Sequence, residues 1–467
     1  MTRRQGAALQ DRLNRPLMFV LRLAAPVHVS PKGAVIAAIG QTGAYIVGSG
    51  LADVKDGDVL VDVTLLVTGD EQLAAVCQAA VAIPGVRLMS VVDCAMESHR
   101  GGACQMVSRS PIDSNTDLRV VYTPGVARVC KAIQKDPTLA RTYTNVANKV
   151  AIVTNGTAIL GLGDIGPLAG LPVMEGKAAI FWEFVKISAE PVLINTKDPD
   201  EFINIMEKLA VGFGAVQVED VAAPECFHIT RELDRRLSIP VMHDDQHGTA
   251  TICLAGLFSA LRKTGKTMSE LTVAISGAGA AGTAIADMLY TAGVADVVLT
   301  DSVGVIYRGR TQRMNDAKRA LAARTNRDNV KGTLADAMKG RQVFIGVSQP
   351  NIVTQEMVRS MAKDPIVFAL ANPVSEIAVA DAYAAGAAVA ADGRMMNNAL
   401  AYPGIFRGAL DCGTSTITVE MCLAAAQALA DIVPAGEFLP DMMDPRTHQT
   451  VAEAVKAAAG PGTALVK

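Results

Sequence analysis

The stretch Leu271-Thr272-Val273-Ala274-Ile275-Ser276-Gly277-Ala278-Gly279-Ala280-Ala281-Gly282 decides how this chain is read. Its first half, Leu271–Ser276, suits a buried strand, and G-x-G-x-x-G follows at once, opening an apolar run that continues as a helix to Ala292. A second strand, Asp296–Thr300, ends at Asp301, nineteen residues beyond Gly282. The glycine spacing alone says little. Set between a strand and a helix, with an acid ending the next strand, it specifies a Rossmann dinucleotide-binding unit. Gly277, Ala278, Gly279, Ala280, Ala281 and Gly282 would admit the pyrophosphate to the helix N-terminus, where unpaired N–H groups and the dipole favour an anion. Asp301 would accept both ribose hydroxyls. Ser302 and Val303 follow it rather than Arg or Lys, so a 2′-phosphate would meet negative charge without a counter-ion, and NAD is expected over NADP.

Downstream, Gln342–Val347, Ile366–Leu370 and Ala387–Ala390 read as strands that continue the sheet, and Thr416–Asp431 and Thr447–Ala458 as packing helices. Asn372, in Ala371-Asn372-Pro373, and Asn398, in Asn397-Asn398, interrupt apolar surroundings. Such an asparagine either closes a turn or donates to a substrate carboxylate.

Upstream, two short apolar strands end in acids. Val216–Val218 delivers Glu219-Asp220, and Ile239–Met242 delivers His243-Asp244-Asp245 at the head of the segment His243–Thr249. Strand C-termini are the usual site position in open α/β sheets. Four acids converging on one crevice repel unless a divalent cation neutralises them. His243 and His247, four apart, would suit zinc, whereas the neighbouring carboxylates suit a harder, oxygen-ligated ion. Earlier, Leu160–Pro167 is so rich in glycine that its backbone can approach a ligand closely, and Pro191–Thr196 reads as a buried strand. Lys177 sits among small and apolar residues. Such surroundings disfavour its charged form and would make it a base near neutral pH, unless the side chain snorkels to the surface. Tyr122 stands beside the turn formed by Thr123-Pro124-Gly125.

Residues 17–93 read as βαββαβ, the ferredoxin-like order. With a Gly33 turn after the first strand and Pro84-Gly85 before the last, the unit resembles an ACT domain, which implies ligand sensing or subunit pairing. The chain of 467 residues has room for several cores, and a net charge of −3 offers no field for nucleic acid or an anionic membrane. Arg3-Arg4 precedes no clear apolar export segment, and no apolar run is long enough to span a bilayer. Eight cysteines without a C-x-x-C pair read as reduced, mostly buried thiols of a cytoplasmic protein.

Tyr122-Thr123-Pro124-Gly125-Val126, the run from Val150 through Lys177, Glu219-Asp220, His243–Ala250, the dinucleotide fingerprint and Ala371-Asn372-Pro373 occur in an order that closely resembles a bacterial malic enzyme. The resemblance runs from about Gly101 into the low 430s. It implies oxidative decarboxylation of L-malate to pyruvate and CO2 with reduction of NAD, by a homodimer or higher homo-oligomer. Glu219, Asp220 and Asp245 match ligands of Mg2+ or Mn2+; Lys177 matches the general base and Tyr122 the general acid. Asp244 would orient Lys177 or modulate its pKa, Asn372 and Asn398 would bind substrate, Asn372 would also line the cofactor site, and His243 and His247 would become surrounding residues. Position 158 is alanine where larger relatives place a carboxylate-clamping arginine, and the loop before Asn397 is short, so Arg394 is a candidate to compensate. Larger bacterial relatives append a phosphotransacetylase-like domain, whereas here the extra unit comes first. The expected organisation is an α/β protein: an ACT-like regulatory unit at 1–97, open to a small-molecule effector, a catalytic domain at 98–248, and a Rossmann domain with C-terminal helices at 249–467. A malolactic enzyme releasing lactate, or an inactive ligand sensor, is the competing reading.

Overall fold

The computed structural model describes residues 17–27, 32–55, 57–372, 374–435 and 437–460; Arg3-Arg4 and Pro373 lie outside them. The chain divides into two compact units after Gln105.

In the first unit, β1 (Leu17–Pro26), β2 (Tyr45–Lys55), β3 (Asp58–Val67) and β4 (Arg87–Asp93) form an antiparallel sheet in the order β2-β3-β1-β4. Helices Lys32–Gln41 and Asp70–Val81 complete the βαββαβ order. Alternation builds this sheet: Val61, Val63, Leu65 and Val67 of β3 are buried at every second position, because successive strand side chains point to opposite faces. They pack on Leu21, Val35, Ile39 and Val76.

The second unit holds two sheets. β5 (Lys149–Thr154), β6 (Ser188–Leu193), β7 (Ala215–Val218) and β8 (Val241–His243) are all parallel, in the order β6-β5-β7-β8. β9 (Thr272–Ser276), β10 (Asp296–Asp301), β11 (Gly304–Val305), β12 (Val343–Gly346), β13 (Ile366–Ala369) and β14 (Val389–Asp392) run β11-β10-β9-β12-β13-β14, parallel except for β11. The chain order reverses between β9 and β12, the switch point at which doubly wound sheets bind ligands. One core joins both sheets: Val150 and Ile152 of β5 share a cluster with Val273 and Ile275 of β9 through the helix Thr249–Thr264. That helix buries Ile252, Cys253, Leu254, Ala255 and Leu257 in succession, so it is apolar all round and central. It packs on Val419–Asp431, which packs in turn on Pro445–Ala458.

Two expectations, for Pro191–Thr196 and for the cysteines, need correction. The strand expected at Pro191–Thr196 is β6, Ser188–Leu193, and it is only half-buried. It is an edge strand, where Pro191 removes no ladder donor that the sheet needs. The residues from Pro167 to Val185, including Lys177, form one 19-residue helix despite Pro172 and two glycines. Gly170, Met174, Ala178 and Phe181 make its buried stripe, and Phe181 meets the rings of Tyr402 at 5.0 Å and Phe406 at 5.5 Å edge-on. The eight cysteines are free, but only Cys226, Cys253 and Cys422 are buried, and Cys104 and Cys130 are exposed.

Candidate active site

The helix Pro167–Val185 carries Lys177 to the C-terminal ends of β7 and β8, where the chain places its acids. Lys177 Nζ donates to Asp244 Oδ2 at 2.5 Å and lies 2.9 Å from Glu219 Oε1. Its ammonium also stands 4.7 Å over the ring of Tyr402. Asp244 is buried on a wide helical turn, Asp244–Gly248, that links β8 to the central helix. Gly248 is required there: a Cβ would come within 1.9 Å of Asp244 Oδ1. Asn398 Nδ2 donates to Thr249 Oγ1 at 2.9 Å and reaches Asp244 Oδ2 at 3.3 Å.

Beside this pair, Glu219, Asp220 and Asp245 each offer a carboxylate oxygen within 4.8 Å of the others. Asp220 adopts φ +51, an uncommon left-handed conformation for a residue other than glycine. There its N–H donates to Asp245 Oδ2 at 3.0 Å and its Oδ1 accepts from Leu160 N–H at 3.2 Å. Its Oδ2 is buried without a partner, and an orphaned buried acceptor facing two other acids fits a hard cation. Gln217 Nε2 holds the far oxygen of Glu219 at 2.6 Å.

Electrostatics follow from burial among like charges. Burial, with Asp245 beside it, pushes Asp220 up to about 7. Glu219 is held well above the carboxylate range by burial, opposed by Lys177. The expectation that Lys177 is depressed is overturned. Burial does work to lower it, yet Asp244 and Glu219 together outweigh burial and hold it well above the ordinary lysine value. The residues next to Lys177 along the helix are apolar, but the groups its ammonium meets are acids.

His243 is fully buried and kept neutral by that burial, with Nδ1 3.7 Å from Asp245. Burial and His243 lower His247 to about 4. The three-acid cluster is the one grouping of metal-binding side chains among the described residues, and neither histidine belongs to it.

Other expected residues lie apart. Tyr122 is 65% exposed at the end of the helix Asn115–Val121, and no hydrogen bond joins its hydroxyl to Lys177 or the acids. Asn372 is exposed at the end of β13, with its amide over Gly393 rather than on the carboxylates. Arg394 is committed to Asp392 at 2.6 Å and does not serve as a free clamp. The tyrosine beside Lys177 is Tyr402, buried with an unpartnered hydroxyl and raised by burial. Its position soon after Asn398 is the only sequence signal for it, since an aromatic in an apolar run reads as core.

At the switch point each glycine has its own task. Gly277, at φ +108, makes the turn under Val347. A Cβ on Gly282 would come within 1.8 Å of Gly277 O, whereas one on Gly279 would meet nothing within 4 Å. Gly282 therefore seats the helix Ala280–Thr291 against the strand, and Gly279 leaves the approach to its N-terminus open. Gly279→Val is expected to weaken NAD binding about tenfold to a hundredfold by overpacking the ligand side with an unchanged melting temperature. Gly282→Ala is expected to lower the melting temperature as well. Calorimetric NAD titration and thermal unfolding of both variants check this.

A lysine–acid pair beside a dinucleotide site in one unit defines a dehydrogenase class, with a three-acid cluster whose donors fit a divalent cation. Two family models cover this unit: the malic enzyme N-terminal domain over residues 102–199 and the malic enzyme NAD binding domain over residues 246–460. An NAD-dependent malic enzyme of Geobacillus stearothermophilus is 44% identical over 437 residues, 91% of each chain. A bifunctional malic/malolactic enzyme of Bacillus subtilis is 46% identical over 391 residues, 81% of this chain and 95% of that protein. The crystal structure of a malic enzyme from Pyrococcus horikoshii superimposes with a TM-score of 0.77 at 40% identity, covering 80% of this chain and 92% of that one. The chain belongs to the malic enzyme family, with the family's α/β catalytic domain and Rossmann NAD-binding domain.

Proposed function

We propose that this protein catalyses the oxidative decarboxylation of L-malate to pyruvate and CO2 with reduction of NAD. The observation that carries the reading is Lys177 held between Asp244 and Glu219 at the edge of the three-acid cluster. Lys177, once neutral, takes the proton of the 2-hydroxyl. Asp244 and the Tyr402 ring hold its amine in place. The glycine fingerprint at 277–282 would hold NAD, which would supply the acceptor for the C2 hydride. Glu219, Asp220 and Asp245 would hold Mg2+ or Mn2+, which would supply Lewis-acid chemistry there and offset the acid charge that keeps Lys177 protonated. Asn398, with Asn372, orients the substrate carboxylates. The C3–C4 bond then breaks, C4 leaves as CO2 and its electron pair stays as the enolate; Tyr122 protonates C3 of that enolate, which requires the segment that carries it to approach the crevice.

Purified protein with L-malate, NAD and Mn2+ tests the reading: NADH and pyruvate should form in equal amounts, and the absence of both would overturn it. Kinship with a malic/malolactic enzyme favours a second reading, whose mark is lactate formed without net NADH. Among the described residues no helix is long and apolar enough to cross a membrane; the setting proposed is the cytoplasm, as a homodimer or higher homo-oligomer. The βαββαβ unit supports an ACT-like role in sensing a small-molecule effector.

Two tyrosines compete for the proton to C3. Tyr122→Phe is expected to slow ketonisation of enolpyruvate about 10²- to 10⁴-fold, measured separately from NADH formation. Tyr402→Phe, which removes a hydroxyl that has no partner, is expected to change it less than about threefold. The reverse result would move the role to Tyr402.

A further inference from the structure

Glu376 is a fully buried acid that the mechanism does not use. It is 0% exposed, and its oxygens accept from backbone N–H groups on two different loops. Oε1 takes the N–H of Ser348, which follows β12, at 2.8 Å, and Oε2 takes that of Ala371, which follows β13, at 3.1 Å. The main chain ties the same region together: the carbonyl of Glu376 accepts from Val353 N–H at 3.0 Å, and that of Ser375 from Asn351 N–H at 3.1 Å. The carboxyl group packs over Gly346 at the end of β12, where a Cβ would come within 2.4 Å of it. Ser348 in turn meets the strand that leads into the glycine fingerprint. Its Oγ lies 2.7 Å from Ser276 Oγ, and Val347 N–H donates to Ser276 O at 2.9 Å.

No cation of the chain answers this carboxylate. Among the described residues no lysine, arginine or histidine forms an ion pair with it, and burial holds it above the ordinary glutamate value, opposed by the N–H groups of Ser348 and Ala371. Neutral donors offset only part of the cost of burying a charge, which is why buried charges are as a rule paired. Its place in the sheet supplies a partner. A Rossmann sheet takes a dinucleotide across its switch point in two mononucleotide halves. Asp301 on β10 marks the adenosine half, and the N-terminus of the helix Ala280–Thr291 marks the pyrophosphate. The strands beyond the reversal, β12 and β13, then carry the nicotinamide half. That ring is cationic when oxidised and neutral when reduced. We infer that Glu376 sets the redox preference of the cofactor site: it holds the loops after β12 and β13 in place, and its uncompensated charge favours NAD over NADH. Glu376 is thus a positioning residue with an electrostatic role, and reduction removes the attraction, which favours release of NADH. The inference rests on the NAD site of the proposed function and not on the identity of the substrate oxidised.

Calorimetric titration of NAD and of NADH into the full chain, without substrate, reads this preference. The wild type should bind NAD at least as tightly as NADH, and NADH binding more than about tenfold tighter overturns the inference. Glu376→Gln keeps the shape and removes the charge, and its amide accepts from only one of the two N–H groups. Both cofactors should therefore weaken, and the ratio of Kd for NAD to Kd for NADH should rise about tenfold or more, the effect of one buried charge on a cation. Glu376→Asp keeps the charge on a shorter side chain, so both cofactors should weaken while the ratio stays within about threefold of wild type. A loss of loop geometry alone would move both dissociation constants together in both variants. An unchanged ratio in Glu376→Gln, an equal change of ratio in Glu376→Asp, or binding of neither cofactor by the wild type overturns the inference. Thermal unfolding shows whether the variants fold, and if neither does, the wild-type ratio decides alone. Binding of NAD without turnover of L-malate would defeat the malate reading and leave this one to the titration.

Discussion

Lys177→Ala is expected to lower NAD reduction by L-malate about 10²- to 10⁴-fold, the range for loss of a positioned general base, while the dissociation constant of NAD stays within about threefold of wild type. NAD binding survives because the glycines at 277, 279 and 282 and Asp301 lie on the other sheet, and none of them touches Lys177. The same substitution strands Asp244 and Glu219, which are 0% and 2% exposed, without their shared counter-ion. Removing one partner of a buried pair costs about 3–5 kcal/mol when the other stays charged. Glu219, already held above the carboxylate range by burial, escapes part of that cost by binding a proton, so the variant should be less stable at pH 8 than at pH 6 relative to wild type. Lys177→Gln, which keeps a donor on the acids, should recover stability without recovering turnover. Initial rates, NAD titration and thermal unfolding at the two pH values separate the chemical role from the structural one. Turnover near wild type in either variant removes Lys177 from the proton transfer.

Periodic patterns and short-range geometry were legible in the sequence; contacts made across long stretches of chain were not. The βαββαβ order of the first unit is legible because β1 and β3 alternate. The strand, fingerprint and acid of β9 and β10 lie within one supersecondary unit and read as such. The helix Pro167–Val185 was obscured by Gly170, Pro172 and Gly176, although Gly170, Met174, Ala178 and Phe181 recur at helical spacing. The neighbours of Lys177 in sequence are small and apolar, whereas its partners Glu219 and Asp244 follow β7 and β8. Asp301 was judged by the next two residues, whereas its partners are 9 and 17 residues away. In both cases the local sequence specified the charged group and the tertiary fold specified its charge balance.

The three-acid cluster makes the other large prediction. Asp245→Asn retains an oxygen and the shape of the side chain but removes a charge from a hard-cation site, and it is expected to weaken Mn2+ binding at least about 100-fold, beyond the usual effect of an outer-shell change. Activity at limiting Mn2+ should disappear and return in part at high concentration. The wild-type affinity should itself depend on pH, through Asp220. Its value of about 7 in the metal-free fold lies above the ordinary 3.8, so the folded chain holds this proton more tightly than the unfolded one. That proton stabilises the metal-free fold below about pH 4, and the contribution is lost as pH rises through about 7. A cation must displace the same proton, so apparent Mn2+ affinity should rise about tenfold per pH unit up to pH 7 and level off above it. The stabilisation conferred by Mn2+ should therefore be largest where the metal-free protein has lost most, above pH 7. Asp220→Asn removes the titrating group and should flatten the affinity profile below pH 7. Manganese titrations from pH 5.5 to 8.5 on the wild type and both variants check this, and a wild-type affinity independent of pH across that range would mean that Asp220 is not among the groups the cation engages.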